Sequence, residues 1–161
     1  LHKESNEFWT SKRKAESKAA GLTPNEVIIM ASIVDQETAN SEEKPMVAGM
    51  YLNRLHQGMK LQADPTVKFA LKQFALKRIL HEHLSVDSPY NTYRHEGLPP
   101  GPIAIPALSS IEAVLHFAHH DYIYMCAKED FSGTHNFAKT YEEHLANARK
   151  YAEALNERGI K

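Results

Sequence analysis

Thr23-Pro24-Asn25-Glu26-Val27-Ile28-Ile29-Met30-Ala31-Ser32-Ile33-Val34-Asp35-Gln36-Glu37-Thr38 is the stretch on which the reading of this chain turns. Thr23 stands at an N-cap, Pro24 at the first helical position and Glu26 where it completes a capping box, so a helix starts here with little freedom to slip. Leu22 and Val27 flank the cap at the positions of a hydrophobic staple. Counting back from Glu37 by three, four and seven residues reaches Val34, Ile33 and Met30, which puts this carboxylate on the apolar stripe of its own helix. Burial there is expected to raise its pKa and suit it to proton transfer. Asp35 falls over Ser32, Ala31 and Ile28, a smaller and more polar strip on the other side. The plain alternative for a glutamate near a helix end is a solvated or ion-paired side chain.

Outward from this helix, Asn40-Ser41-Glu42-Glu43 is a polar break, and Pro45 lets the next helix begin no earlier than about Glu42. That second helix carries Val47, Met50, Tyr51 and Leu55 on one face and stops at Gly58. Upstream, Glu7 to Ala20 reads as a charged helix closed by Gly21, a connector spanning residues 1–21. Short helices are expected at Thr66 to Leu71 and Leu76 to His83. The proline-rich run Leu98-Pro99-Pro100-Gly101-Pro102-Ile103 must be extended, as a stiff wall for a groove. Ser109 to Ala118 returns to helical spacing, and strands at Tyr122 to Ala127 and Thr134 to Phe137 form a hairpin. Thr140-Tyr141-Glu142-Glu143 is a second capping box, and Leu145, Ala148, Ala152 and Leu155 mark the buried stripe of a last helix. The composite is α+β, mostly helical with a small antiparallel hairpin or sheet.

The 161 residues suit one main domain. Nineteen basic residues against twenty acidic ones give no electrostatic reason to expect nucleic acid or an anionic membrane surface. The single cysteine, Cys126, reads as a small packing hydrophobe, and no apolar run approaches membrane-spanning length. The chain opens on Leu1 and not Met, and is read as a soluble piece of a longer protein. Among the ten histidines, His116 and His120 are four apart and His81 and His83 flank Glu82, but no third ligand at a suggestive spacing accompanies them. These are read as surface histidines, with no metal and no cofactor expected. Nucleotide-binding and serine-hydrolase signatures are missing from the sequence. What remains is an acid facing polar loops that contain Gln62, Asp64, Tyr90, Asn91, Thr92 and Tyr93, a mix whose amides, hydroxyls and rings suit a carbohydrate. Asp64 could instead cap the short helix after Pro65.

Five strings occur in one order: Ala31-Ser32-Ile33-Val34-Asp35-Gln36-Glu37-Thr38, Asn53-Arg54-Leu55, Leu61-Gln62-Ala63-Asp64-Pro65-Thr66-Val67, Tyr90-Asn91-Thr92-Tyr93 and Gly97-Leu98-Pro99-Pro100-Gly101-Pro102-Ile103. Together they resemble the catalytic domain of the YceG-like (MltG) endolytic murein transglycosylases, over residues 22–161. The resemblance implies a lysozyme-like catalytic domain that cuts peptidoglycan glycan strands internally. It also implies an N-terminal membrane anchor and a LysM-like part outside this chain, a site on the extracytoplasmic face of the bacterial cytoplasmic membrane, and partnership with cell-wall synthases. Glu37 matches the family's catalytic glutamate, acting first as acid and then as base to leave a 1,6-anhydroMurNAc end. Gln62, Asp64, Tyr90, Asn91, Thr92 and Tyr93 are expected to bind substrate. Asp35 stands where the family often has Glu, and Ala107 where it commonly has Gly, which touches only a turn needing positive φ. The rival expectations are a muramidase using Glu37 with Asp64 and a non-catalytic glycan-binding or scaffold domain.

Overall fold

Thr23 caps its helix as the sequence requires: its hydroxyl accepts the Glu26 amide, and the Glu26 carboxylate accepts the Thr23 amide at 2.9 Å. This is seen in a computed structural model that describes residues 7–72 and 79–159. Helix α1 spans Ser11–Ala19, α2 Pro24–Glu37, α3 Lys44–His56 and α4 Asp64–Leu71; a 3-10 turn covers His81–Ser85, and α5 spans Leu108–Leu115. Strands β1 (Tyr124–Ala127) and β2 (His135–Ala138) pair antiparallel with Tyr124 opposite Ala138, and α6 (Tyr141–Glu157) closes the chain. The fold is α+β, as the periodicities indicate. The first part of the helix expected at Leu76 to His83 lies outside the described residues; of the remainder, Ile79 and Leu80 are irregular and His81 to His83 fall in the 3-10 turn.

Helix α2 is the hub. It packs against α1, α3, α4 and α5, and Val27, Met30, Ala31, Ser32, Ile33 and Val34 are all fully buried. Burying each large apolar side chain of this set contributes about 1.5–3 kcal/mol. Ala31 and Ser32 of the strip read as more polar are therefore buried too, while Ile28 is half-buried. Ser32 Oγ bonds back to the Ile29 carbonyl and accepts the Ile103 amide at 3.1 Å, which pins the proline-rich segment behind α2. Ile103 of that segment borders a small recess with Pro65 and Phe69, and the segment does not line the larger groove between the helical core and the hairpin.

Asp35 is structural. Its Oδ1 accepts the Ala107 amide at 3.1 Å and the Ser110 hydroxyl at 2.7 Å, capping α5 from a neighbouring helix, and Lys44 Nζ lies 3.7 Å away. Ala107 has φ −66°, so this chain has no left-handed turn there. Gly49 lets the 116–123 loop press onto α3: a Cβ would stand 2.3 Å from the Ala118 carbonyl oxygen. His120 completes that seam, its Nδ1 accepting the Tyr122 amide and its Nε2–H donating to the Met46 carbonyl. It is thus a half-buried clasp and not the surface histidine expected, while His116 is exposed and pairs with Glu16.

Helix α6 departs most from its reading. It rests on β1 and β2, and of the expected stripe only Leu155 is buried, with Leu145 37% exposed. A second capping box at Thr140 and Glu143 starts it as predicted.

Candidate active site

Between the helical core and the hairpin with α6 lies a groove of about 460 Å³. Glu37, Tyr51, Gln62, Asp64 and Tyr93 line it from one side, and Tyr124, Cys126, His135, His144, Ala148 and Tyr151 from the other. Cys126 is half-buried and belongs to this wall, so it is less of a core residue than the sequence suggests. Ala148, Ala152 and Leu155 face the groove too, which explains why their apolar spacing does not mark a core stripe.

Glu37 ends α2 at the floor of the groove, its side chain 12% exposed. Its position follows from the stripe: Met30, Ile33 and Val34 must face the core, and 3.6 residues per turn carries Glu37 after them. Burial, reinforced by the negative charge of Asp64, pushes its pKa up to about 8, against the opposing hydrogen bond from Tyr51. The Tyr51 hydroxyl donates to Oε1 at 2.7 Å. At neutral pH this group is a carboxylic acid in reach of solvent, the state a general acid needs.

Asp64 opens α4, but its side chain caps nothing; the N-cap is Ala63 without a side-chain bond. Its Oδ1 accepts the Tyr93 hydroxyl at 2.5 Å, and burial raises its pKa against that bond and the charge of Lys68. The capping alternative is overturned because the carboxylate turns to the groove. Gln62 sits at φ +51°, a strained left-handed conformation for a non-glycine residue. Its Oε1 accepts from Arg54 at 3.2 Å and its backbone N–H donates to the Thr92 carbonyl. Arg54, nearly buried, also donates to the carbonyls of Lys60 and Ile123, tying α3 to the Gln62 loop and to the entry of β1.

The Tyr90 to Tyr93 string divides by role. Tyr93 faces the groove, whereas Asn91 is 0% exposed, its amide donating to the Leu84 and Val86 carbonyls and its Oδ1 accepting the Tyr93 amide. Thr92 is equally buried, its Oγ1 accepting the Ala63 amide at 2.8 Å and bonding Thr66. Tyr90 packs its ring on Phe69, 4.8 Å between centroids, away from the groove. Asn91 and Thr92 therefore shape the loop that presents Tyr93 and Asp64, with no free polar atom for a sugar.

The sequence does not mark Tyr51, Glu43 and His135, which surround Glu37. Tyr51 reads as a core residue, although a tyrosine on a buried stripe needs a partner for its hydroxyl, and that is the available signal. Glu43 reads as part of a polar corner, and nothing in the sequence distinguishes His135. In the fold His135 Nε2 lies 3.8 Å from Glu37 Oε2, and its Nδ1 3.2 Å from Glu43 Oε2. Among the described residues no group of three or more His, Cys, Asp or Glu side chains is arranged to hold a metal ion.

Known proteins resemble this chain over most of its length. A sequence profile of the YceG-like family matches residues 1–150. A Bacillus subtilis protein named endolytic murein transglycosylase is 39% identical over 145 residues, 90% of this chain and 39% of that protein. One of the same name from Streptococcus pneumoniae is 33% identical over 138 residues, 83% of this chain and 25% of that protein. The crystal structure of a yceG-like protein from Listeria monocytogenes superposes with a TM-score of 0.76 at 38% identity, covering 84% of this chain and 44% of the other. The chain thus spans well under half the length of the curated relatives it matches. With the family profile covering nearly the whole sequence and relatives this similar, the chain belongs to the YceG-like family.

Proposed function

We propose that this chain is the catalytic part of an endolytic peptidoglycan lytic transglycosylase, cleaving the β-1,4 bond between MurNAc and GlcNAc with Glu37 as the one acid and base. The observation that carries the reading is a glutamate whose side chain is 12% exposed, its pKa pushed up to about 8 by burial, on the floor of a groove lined by tyrosines and polar side chains. The names of the relatives supply the substrate class.

Glu37 gives its proton to the glycosidic oxygen as the bond to MurNAc C1 breaks, and the GlcNAc hydroxyl leaves. The carboxylate then takes the proton of the MurNAc C6 hydroxyl, whose oxygen bonds to C1 and closes the 1,6-anhydro ring. Glu37 ends as it began, and no water is consumed. An internal nucleophile already held near C1 replaces the second carboxylate that hydrolysis would need. The charge of Asp64 lies beside Glu37, where it favours the protonated acid, and on the same wall as the cationic transition state. Gln62 and Tyr93 orient the sugar from the same wall. Asn91 and Thr92 serve by holding that wall, and Tyr90 by packing behind it.

Digestion of purified murein with the wild-type protein and with Glu37→Gln, followed by mass spectrometry, tests the reading. Products one water lighter than hydrolysis products, absent with the variant, are expected; full activity in a folded Glu37→Gln protein refutes it. A muramidase is the second reading, favoured by Asp64 lining the same groove, and products carrying the extra water would establish it. Tight binding to sacculi without release of soluble fragments would instead indicate a non-catalytic domain. Membrane attachment through a segment outside this chain, extracytoplasmic location and contact with cell-wall synthases go with the transglycosylase reading by family likeness. No described helix is long and apolar enough to cross a membrane.

A further inference from the structure

Glu43 has no part in the chemistry above, yet it is a charged residue only 9% exposed at the corner between α2 and α3. Its Oε1 accepts the backbone amide of His135 at 2.5 Å and its Oε2 accepts the Thr38 hydroxyl at 2.9 Å. The His135 Nδ1 stands 3.3 and 3.2 Å from the same two oxygens. An ionised carboxylate can only accept, so Nδ1 carries the hydrogen and a neutral ring keeps its lone pair on Nε2. That nitrogen faces Glu37 Oε2 at 3.8 Å. Tyr51 donates to the other oxygen, Oε1, so an acid proton on Glu37 resides on Oε2, the oxygen turned toward the imidazole.

We propose that Glu43 and His135 are positioning residues for Glu37: Glu43 fixes the Nδ1–H tautomer of His135, so that Nε2 presents a proton acceptor and not a donor to Glu37 Oε2 and that oxygen keeps its acid form. This rests on Glu37 being the acid of the reaction. A donor at Nε2 would stabilise the carboxylate and disarm it; a lone pair does the opposite. His135 is met by Glu43 from the corner and by Glu37 from α2. Glu37 is met in turn by Tyr51 from α3, by Asp64 and Lys68 from α4 and by Tyr93 from its loop. Lys68 is the cation in this set, and it works against the acid form, so the tautomer of His135 has an effect to supply.

Glu43→Gln changes the tautomer with almost no change of shape, because its amide can donate to Nδ1 and move the ring hydrogen to Nε2. Imidazole 15N shifts of the wild-type protein are expected to show Nε2 unprotonated, and those of Glu43→Gln to show it protonated. The Glu37 carboxyl 13C titration midpoint is expected to fall in Glu43→Gln. The alkaline limb of kcat/KM should move toward acid with it, with activity at pH 7 down about tenfold or more. Glu43→Asp, which keeps a carboxylate, restores the limb. Loss of the Glu43 charge pushes the midpoint the same way, and the 15N shifts isolate the tautomer from that effect. An Nε2–H tautomer in the wild type overturns the proposal, and that measurement needs no variant to fold. So does an unmoved Glu37 midpoint in Glu43→Gln, or an activity loss that follows the melting temperature with the pH limb in place. The NMR readouts need no turnover: a wild-type protein that cleaves no glycan refutes the proposed function, while the tautomer and titration still decide the role of Glu43 and His135.

Discussion

Replacing Glu37 by Gln is expected to abolish cleavage and, at neutral pH, to make the protein more stable. Glu37 titrates near 4.5 when unperturbed and at about 8 in the fold, because burial and the Asp64 charge disfavour its ionised form. Between those values the folded chain holds a proton that the unfolded chain has released, so unfolding free energy falls by about 1.4 kcal/mol per pH unit. The stability this proton brings is complete below pH 4.5 and is lost as pH rises through 8. By pH 7 the native protein has given up about 3 kcal/mol relative to pH 4.5. Glutamine does not titrate, and its Oε1 still accepts from Tyr51. The two proteins should therefore melt together near pH 4.5, with a gap in favour of the variant of about 6–12 °C at pH 7 for a domain of this size. Above pH 8 the gap stops widening, since Glu37 is then ionised in both states. Melting curves followed by circular dichroism between pH 4.5 and 9 read this directly. Parallel curves across that range, or a gap that opens toward acid, would refute the buried-acid argument.

Tyr51→Phe removes the hydrogen bond that favours the Glu37 carboxylate, and should move the alkaline limb of kcat/KM up by about one unit, since a hydrogen bond to a charged group contributes about 1.5 kcal/mol or more; a limb that stays in place would show that Tyr51 does not set the acid. Asp35→Ala strips the cap from α5 and leaves nearly buried Lys44 without its counter-charge, a loss of about 3 kcal/mol in denaturant unfolding. Glycan cleavage per folded molecule should be unchanged, and a selective loss of turnover would give Asp35 a role in the chemistry. Gly49→Ala forces a Cβ against the Ala118 carbonyl oxygen, and the melting temperature should drop by several degrees, about 1–3 kcal/mol of overpacking; wild-type stability would mean that the loop moves freely off α3.

The capping boxes at Thr23 and Thr140, the start of α3 just before Pro45 and the hairpin were legible because each is decided by residues a few positions apart. The place of Glu37 on the apolar side of its helix was legible for the same reason: it follows Met30, Ile33 and Val34 at helical spacing. Asn91 illustrates the limit. Its polarity and its place in a string that resembles the family's suggest sugar contact, but three loop bonds occupy it in the fold. Polarity reports that a group needs a partner, and whether the partner is a ligand or the backbone depends on where the loop folds back.

Local spacing by itself determined the helical frame and which carboxylate lies on its apolar side. Tertiary structure decided the rest: that β2 brings the His135 imidazole between Glu37 at the end of α2 and Glu43 at the α2–α3 corner, that Tyr51 reaches across from α3, and that α6 is a groove wall and not a core helix. Helical and strand periodicities are set by neighbours along the chain. Contacts between residues ninety positions apart are set only by which surfaces pack, and burial that changes a carboxyl's charge state exists only once they have.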